Sequence, residues 1–271
     1  MKEQQDQIVV GYYDQHVTSK LRDFVDGNPR VECAWTTIEK WAPALPKNIL
    51  EIGCGIGAIC WRMKRRWPDA RVVGLDISPQ SVEIAKKLFG LQGLTFVEGS
   101  MTKNLLADKF DLIVLMDVYE HISSSDRPTL HDALKRVLNQ FGRIVLSFPT
   151  PRHLSWLREH EPRQIQPIDE DVNIGTMLIV AEDLESEILL YQEVGVWHEG
   201  DYAHSVLGKR GEWVPVNNNC IDAYTIRQRI EHQIKRLVRA HHAPLEPSRE
   251  ERLSLVQERL GPTYYRSNYY R

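Results

Sequence analysis

The sequence lacks the features of membrane-spanning, secreted and strongly basic proteins. Across its 271 residues no apolar stretch approaches the length of a membrane span. The first residues, Met1–Asp6, are too polar for a signal peptide, so a cytoplasmic location and no membrane partner are expected. The formal net charge is only -3, and no block rich in Lys and Arg covers the central part of the chain. Nucleic acid is therefore not an expected partner.

Cysteine is scarce as well. The four cysteines are Cys33, Cys54, Cys60 and Cys220, and none forms the close pair that supplies zinc ligands. Free thiols are the expected state, and a disulfide framework is not expected. With 42% hydrophobic and 26% charged residues, the composition is that of an ordinary globular protein, long enough for one substantial core with an elaboration.

The most informative motif is a glycine-rich loop after a short apolar run. The pattern E-x-G-x-G-x-G begins at Glu51 and ends at Gly57. Glycines allow a ligand to approach the backbone closely, and Asp76, which ends the next apolar run, can accept hydrogen bonds from two ribose hydroxyls. An NAD-binding turn usually reads G-x-G-x-x-G and holds a pyrophosphate. An acid at Glu51 would repel a pyrophosphate, but it suits a ligand that carries an ammonium group and a sulfonium.

At these residues the chain resembles the class I methyltransferases that use S-adenosylmethionine (SAM). Three further segments match that family in order and spacing: Leu94–Met101, Phe110–Asp117 and Gly142–Pro149 resemble its third, fourth and fifth strands. The resemblance implies an α/β fold, a doubly wound Rossmann-like sheet of seven strands with the last strand antiparallel. It extends to the quinone-biosynthesis type and to small-molecule O-methyltransferases.

The pattern of helices and turns divides the chain into three parts. Residues 1–47 are expected to form a helical N-terminal cap, residues 48–210 the SAM-binding core, and residues 221–271 a helical C-terminal appendix. Within the core, a connection at about 150–178 leaves the fifth strand beside the cofactor, so we expect it to form an acceptor pocket or lid.

Several local elements are predicted as well. Val180–Glu187 is expected to be a helix, and Ile188–Trp197 with Asp201–Lys209 the closing antiparallel pair. In the appendix, Ser248 and Glu251 can form a capping box that starts a helix. An apolar helical stripe precedes it and could either mediate a homodimer or cover the core: Ile226, Ile230, Ile234 and Leu237.

The resemblance also implies a cofactor site. It places Glu51 and the glycine loop against the methionine portion of SAM, Asp76 on the ribose, and Ile77 on one face of the adenine. A Tyr-Tyr-Asp in the N-terminal part resembles the helix that covers the cofactor. The residues expected to contact the cofactor are Tyr13, Glu51, Gly53, Cys54, Gly55, Gly57, Asp76, Ile77, Ser100, Met101 and Met116.

The acceptor side is expected to centre on Asp117-Val118-Tyr119-Glu120-His121, directly after the fourth strand. His121, assisted by Glu120, is a candidate general base because of its near-neutral ordinary pKa. A second interpretation is that Asp117, Glu120 and His121 hold a divalent cation, as E-x-x-E-H does in metal-assisted relatives. Asp in the first position weakens that match, and we favour a metal-free site. Expected acceptor-binding residues are Tyr12, Tyr119, His153 and Gln166, with His160, Gln164 and Asp169 as further candidates.

The sequence thus predicts a SAM-dependent methyltransferase that yields S-adenosylhomocysteine (SAH). A small-molecule acceptor of the secondary-metabolite or saccharide type, methylated at a hydroxyl or carboxyl oxygen, is the leading hypothesis. Alternatives are a non-catalytic SAM- or nucleoside-binding partner subunit, or methylation of nitrogen or of RNA ends. An NAD-dependent oxidoreductase is disfavoured because no convincing Tyr-x-x-x-Lys pair is present.

Overall fold

A computed structural model describes residues 2–101, 106, 108–209 and 246–265, with side chains from residue 7 onward. Seven strands form one sheet: β1 (Asn48–Ile52), β2 (Arg71–Asp76), β3 (Leu94–Glu98), β4 (Phe110–Met116), β5 (Leu138–Pro149), β6 (Glu187–Val194) and β7 (Tyr202–Gly208). Their order across the sheet is β3-β2-β1-β4-β5-β7-β6, and β7 runs antiparallel to both of its neighbours, β5 and β6. The predicted fold class is confirmed.

Helices cover both faces of the sheet. The described helices are α1 (Lys2–Gln15), α2 (Val17–Asp26), α3 (Pro29–Trp41), α4 (Ala58–Arg66), α5 (Pro79–Leu88), α6 (Arg127–Val137), α7 (Pro151–His160), α8 (Ile174–Asp183) and α9 (Arg249–Leu260), with 3₁₀ turns at Tyr119–His121 and Pro162–Gln164. None of them is long and apolar enough to cross a membrane.

The core consists of two apolar layers separated by the sheet. Neighbouring residues of a strand point to opposite faces, so Ile49 packs with α2–α5 and α9, whereas Leu50 packs with α6 and α8. Strands buried on both faces must be almost wholly apolar, as β4 is. Three helices around the site, α3, α5 and α7, begin with a capping side chain followed by proline, at Asn28, Ser78 and Thr150.

Most predicted elements agree with the structure, but one does not. The helix expected at Val180–Glu187 lies earlier, at Ile174–Asp183, because Asn173 and Thr176 form a capping box that starts it there. Glu187 already belongs to β6. The connection after β5, expected to form an acceptor pocket or lid, begins with the regular helix α7.

The C-terminal appendix is described only in part. The capping box of Ser248 and Glu251 is confirmed and starts α9. This helix packs on its own chain: Val256 is fully buried, and Arg249 and the Tyr265 hydroxyl both contact Asp26 of α2 at 2.8 Å. The predicted stripe from Ile226 to Leu237 and Cys220 lie outside the described residues, so the homodimer stays a prediction.

Candidate active site

The glycine-rich loop between β1 and α4 forms the floor of a cleft at the carboxyl ends of the strands. Gly53 and Gly55 have φ values of +71° and +52°. A Cβ on Gly53 would stand 2.3 Å from Cγ2 of Val118, so glycine is required there. The N–H groups of Gly53 and Cys54 both donate to the Leu75 carbonyl, at 2.7 and 3.1 Å. The loop is thereby fixed against the end of β2.

Glu51, on β1 beneath this loop, is a buried acid with an unsatisfied oxygen. Its side chain belongs to a residue only 3% exposed, and Oε2 has no hydrogen-bond partner among the described residues. Burial raises the pKa of Glu51 to about 8. Hydrogen bonds from Cys60 and the positive charge of Lys20 lower this pKa, but burial has the larger effect. A buried carboxylate without a partner is costly, so this geometry suits a ligand that brings an ammonium group.

Asp76, at the end of β2, is held in one orientation. Its Oδ2 accepts from the N–H of Gly55 at 2.6 Å, and its Oδ1 accepts from the N–H of Ser78 at 2.9 Å. Each carboxylate oxygen keeps a further acceptor position, so Asp76 can still receive hydrogen bonds from two hydroxyls. The Ser78 hydroxyl also donates to Asp14 at 2.5 Å, which ties α1 to this edge of the sheet.

These groups open onto a cleft with a volume of about 290 Å³. Its walls come from the strand ends, from α1 to α3 and from the segment after α7. The predicted site residues that line it are Tyr13, Glu51, Gly53, Cys54, Gly55, Asp76, Ile77, Ser100, Met101, Met116, His121 and Gln166. The structure therefore brings together all but one of the positions expected to contact the cofactor.

The exception is Gly57, which does not line the cleft. Its φ is +82°, and a Cβ there would stand 2.5 Å from the Phe96 ring and 3.1 Å from Cβ of Ala85. Gly57 is thus required for the close packing of the start of α4 against β3 and α5, and its expected cofactor contact stays a prediction.

An N-terminal tyrosine closes the cleft from above. The Tyr13 hydroxyl donates to Oε1 of Gln166 at 3.0 Å, and its ring centroid lies 6.3 Å from that of His121. Burial raises the pKa of Tyr13, so its hydroxyl keeps its proton. This contact joins α1 to the segment after α7, in agreement with the expectation that this segment reaches the site.

Beyond Met116, the cleft wall contains a partly buried ion pair. Asp117 has a left-handed backbone, with a φ of +52°, and its Oδ2 lies 2.9 Å from Nε of Arg30. Nη1 of Arg30 also donates to the Tyr202 hydroxyl at 3.4 Å. The other oxygen of Asp117, Oδ1, is buried without a partner among the described residues. Burial raises the pKa of Asp117 although Arg30 opposes it, and a non-glycine residue in this backbone conformation is typical of functional sites.

His121 lines the cleft, but its charge state counts against a role as general base. Its Nδ1 donates to the Ile168 carbonyl at 2.7 Å and lies 3.1 Å from Oδ1 of Asp169. Burial lowers its pKa, but Glu120, Asp169 and the Ile168 carbonyl outweigh burial and raise it to about 9. The raised pKa favours the protonated imidazole, which orders the segment after α7.

Glu120 and Tyr119 lie behind the cleft wall. Glu120 is 1% exposed, and burial raises its pKa to about 8. The Tyr119 hydroxyl is 2.8 Å from Nε2 of His131, whose Nδ1 is 2.6 Å from Asp183. Neither side chain lines the cleft. The catalytic role of Glu120 and the acceptor contact of Tyr119 therefore stay predictions.

Two further acceptor candidates also lie elsewhere. Tyr12 stacks on His16, with ring centroids 4.1 Å apart, and its ring meets that of Tyr13 edge-on at 5.4 Å, but it does not line the cleft. His153 packs 5.8 Å from the Tyr202 ring, on α7 and outside the cleft lining. Consecutive residues of a helix point in different directions, so only Tyr13 of the two faces the cleft. Of the additional candidates, His160 and Gln164 do not line the cleft, whereas Asp169 supports His121.

The alternative metal site does not assemble. Among the residues that the structure describes, no group of three or more His, Cys, Asp or Glu side chains is placed to hold a metal ion. Asp117 turns toward Arg30, and Nδ1 of His121 faces the Ile168 carbonyl.

Sequence reasoning missed three residues that shape the cleft: Lys20, Arg30 and Tyr202. Lys20 and Arg30 line the cleft and lie on helices α2 and α3, where a charged residue is usually solvated. Tyr202 is an ordinary β-strand residue in sequence. The Asn28-Pro29 helix start before Arg30 was the nearest available signal, and it indicates only where α3 begins.

Comparisons with known proteins agree with this geometry. Residues 49–142 match a family model described as a methyltransferase domain. Residues 49–142 are therefore similar to a methyltransferase domain, and the sheet around them has the fold of the class I SAM-dependent methyltransferases. SAM is the cofactor of this family, and the unsatisfied carboxylate of Glu51 fits its ammonium group.

Curated relatives resemble only part of this chain. It is 28% identical over 141 residues to a malonyl-[acyl-carrier protein] O-methyltransferase of Acetivibrio thermocellus, covering 51% of this chain and 48% of that protein. It is 36% identical over 106 residues to the mitochondrial ubiquinone biosynthesis O-methyltransferase of Schizosaccharomyces pombe, covering 37% of each. The matched segment thus spans less than half of either relative.

A solved structure shows the same fold over a longer stretch. The TehB-like SAM-dependent methyltransferase of Corynebacterium glutamicum superposes with a TM-score of 0.55 at 21% identity, covering 74% of this chain and 99% of that chain. At this identity the likeness concerns the fold of the methyltransferase domain alone.

Proposed function

We propose that this chain transfers the methyl group of SAM to a hydroxyl or carboxyl oxygen of a small molecule by in-line displacement. The observation that carries the proposal is the unsatisfied Glu51 carboxylate under a glycine loop whose N–H groups are tied to β2, next to the fixed carboxylate of Asp76. The O-methyltransferases among the relatives support oxygen as the acceptor atom.

In this proposal each cofactor residue has one task. Glu51 receives the ammonium group and Asp76 the ribose hydroxyls, while Ile77 packs on the adenine. Ser100, Met101 and the Met116 carbonyl meet the adenine edge, and Tyr13 covers the site. When bound, SAM supplies a methyl group activated by a sulfonium. The protein must then align the acceptor, exclude water and remove a proton, and alignment alone can supply several kcal/mol.

Proton removal falls to Asp117 rather than to His121. Oδ1 of Asp117 is buried, has no partner among the described residues and belongs to a residue that lines the cleft. Because burial raises its pKa, Asp117 is a stronger base than an exposed carboxylate. Arg30 holds the other oxygen and fixes the orientation of the side chain. His121, as an imidazolium, holds the Ile168–Asp169 segment in place.

In this proposal, each part of the chain has its own task. Residues 1–47 cover the cofactor through Tyr13, residues 48–210 bind it, and the connection at about 150–178 borders the acceptor through Gln166. Residues 221–271 form the appendix, of which α9 packs on α2 and α5. The acceptor enters between α3 and the 3₁₀ turn.

The proposal is tested by methyl transfer. The full chain is incubated with SAM labelled in its methyl group and a panel of hydroxylated and carboxylated metabolites, with amines and short RNAs as comparison acceptors. Label in an oxygen-linked product supports the proposal. Label found only in amines or RNA would show that the acceptor belongs to one of those classes instead. Binding of SAM without transfer to any acceptor would favour the non-catalytic alternative.

A further inference from the structure

The outer end of the cleft is lined in part by the C-terminal appendix. Glu246 and Arg252 line it together with Phe24 of α2, Val31 of α3 and Trp61 of α4. None of these residues belongs to the strand ends or to the glycine loop, where the cofactor residues lie. The proposed function therefore leaves this end of the cleft without an occupant.

Arg252 faces this end of the cleft from α9. It lies four residues before Val256, and residues four apart share one face of a helix. Because Val256 is fully buried, this face of α9 is turned toward the body of the protein. Nε of Arg252 is buried and has no hydrogen-bond partner among the described residues. A buried polar group without a partner is costly, so a ligand that accepts a hydrogen bond here would be stabilised.

The acids that line the outer end do not neutralise Arg252. Glu32 and Glu246 both pair with Arg62 of α4, at 2.9 and 2.7 Å. The third acid, Asp23 of α2, forms no ion pair with Arg252 in the described part of the chain. The guanidinium of Arg252 thus keeps its charge available for a ligand.

The remaining walls of the outer end are apolar. The Phe24 and Trp61 rings lie edge to face, with centroids 5.6 Å apart, and the other apolar residues that line it are Val31, Ala58 and Ile59. An apolar chamber with one unpaired guanidinium is complementary to an organic anion, because the planar fork of arginine matches a carboxylate or a phosphate. An uncharged ligand would leave the guanidinium unpaired, and an organic cation would be repelled.

The first turn of α3 joins the outer end to the reaction centre. Arg30 contacts Asp117 on one side of this turn, and Glu32 contacts Arg62 on the other. The two sides of a helix are about 10–12 Å apart, side chains included. An acceptor of about this length can therefore reach Asp117 with one end and the outer end of the cleft with the other.

We propose that the outer end of the cleft binds the anionic group of the acceptor through Arg252, so that the acceptor is an organic anion with an apolar body. The inference rests on the proposed function and narrows its acceptor class. It also gives the C-terminal appendix a role, since α9 supplies the residue that recognises the charge.

The test is titration of the full chain, with SAH present, followed by ligand-observed NMR. The four probes share one ring and differ in their head group: phenylacetate, phenyl phosphate, 2-phenylethanol and phenethylamine. The variants are R252M, the conservative R252K and, as a matched control, R259M, which removes an exposed arginine of the same helix outside the cleft lining.

The wild type should bind the two anions at least about tenfold more tightly than the alcohol or the amine, the usual effect of a charged hydrogen bond. R252M should lose this preference while its affinities for 2-phenylethanol and SAH stay within about twofold of the wild type, which also shows that it is folded. R252K should restore part of the preference, because an ammonium group supplies the charge without the planar fork. R259M should change nothing.

The stronger of the two anions identifies the head group as a carboxylate or a phosphate. Two results would overturn the inference while SAH still binds: no preference of the wild type for the anions, or the same preference in R252M. If the wild type did not bind SAH, the proposed function would fail and this inference with it.

Discussion

Two walls of the cleft differ in the kind of contact that holds them together. One wall is built from β1 and β2, and the other from β4, β5 and β7. On the first wall, Gly55 contacts Asp76 across 21 residues of sequence, largely through backbone groups. On the second, Arg30 contacts Tyr202 across 172 residues, and side chains supply every contact in the chain from Tyr202 to Asp117. The first wall is therefore encoded by short motifs, and the second by tertiary packing. Substitutions in the two walls should have separable effects on cofactor binding and turnover.

The largest expected effect is on the first wall, at Gly53. G53A would require a left-handed alanine and place its Cβ 2.3 Å from Val118. We expect SAH affinity to fall by at least about 30-fold, because strain and overpacking each cost about 1–3 kcal/mol. Calorimetry measures this loss. G90A is the control, since a Cβ at Gly90 meets its nearest neighbour at an ordinary 3.8 Å. Near-wild-type SAH binding by G53A would show that the loop is not the floor of the site.

The second wall is tested with Asp117 and His121. D117N should lower turnover with a hydroxyl acceptor by about 100-fold, the usual effect of a general base, and change SAH affinity little. H121Q should lower turnover by less than about tenfold, because the raised pKa of His121 favours its protonated form. Initial rates and SAH affinities of both variants decide the matter. The reverse order of effects would assign the base to His121 instead.

Glu51 links affinity to pH. Its folded pKa of about 8 lies above the ordinary value, so the empty site holds a proton that an ammonium ligand must displace. SAH affinity should fall as the pH drops below 8, by at most about tenfold per pH unit, and level off above 8. E51Q should remove this dependence and weaken SAH binding at pH 8 by about 30-fold, the effect of losing a charged hydrogen bond.

Glu51 should affect the stability of the folded chain in the opposite direction: stability should fall as the pH rises, whereas SAH affinity should increase. The unfolded chain ionises Glu51 near its ordinary pKa while the folded chain keeps the proton, so the free energy of unfolding declines as pH rises toward 8. E51Q should therefore raise Tm relative to the wild type at pH 8 and less so at pH 5. A lower Tm at pH 8 would contradict the burial of an unsatisfied carboxylate.

The smallest expected effect on activity is at Tyr119. Y119F removes the hydroxyl that contacts His131, which should lower the free energy of unfolding by about 1 kcal/mol while leaving turnover unchanged. Denaturant titration and initial rates measure the two quantities. A loss of turnover without a loss of stability would return Tyr119 to the acceptor site.

The contrast between the walls also explains what the sequence could predict. The glycine loop, Asp76 and the strand order follow from motifs in which neighbouring residues carry the information. The position of Tyr119 and Glu120 outside the cleft lining did not follow, because a residue's face depends on the 3₁₀ geometry of the turn that follows β4. Arg30 and Tyr202 could not be identified as site residues from the sequence. They meet each other and Asp117 only when α3 and β7 pack beside the end of β4. Which of Tyr12 and Tyr13 lines the cleft depends on the orientation of α1, which the sequence does not give.

The central claim is that this cleft is built for an adenosyl ligand with an amino-acid end. The most direct test is calorimetric titration of the full chain with SAH and, in parallel, with NAD. We predict that SAH binds with one site per chain and that NAD does not bind. Binding of NAD, or of neither ligand, would contradict the account of Glu51 and the glycine loop.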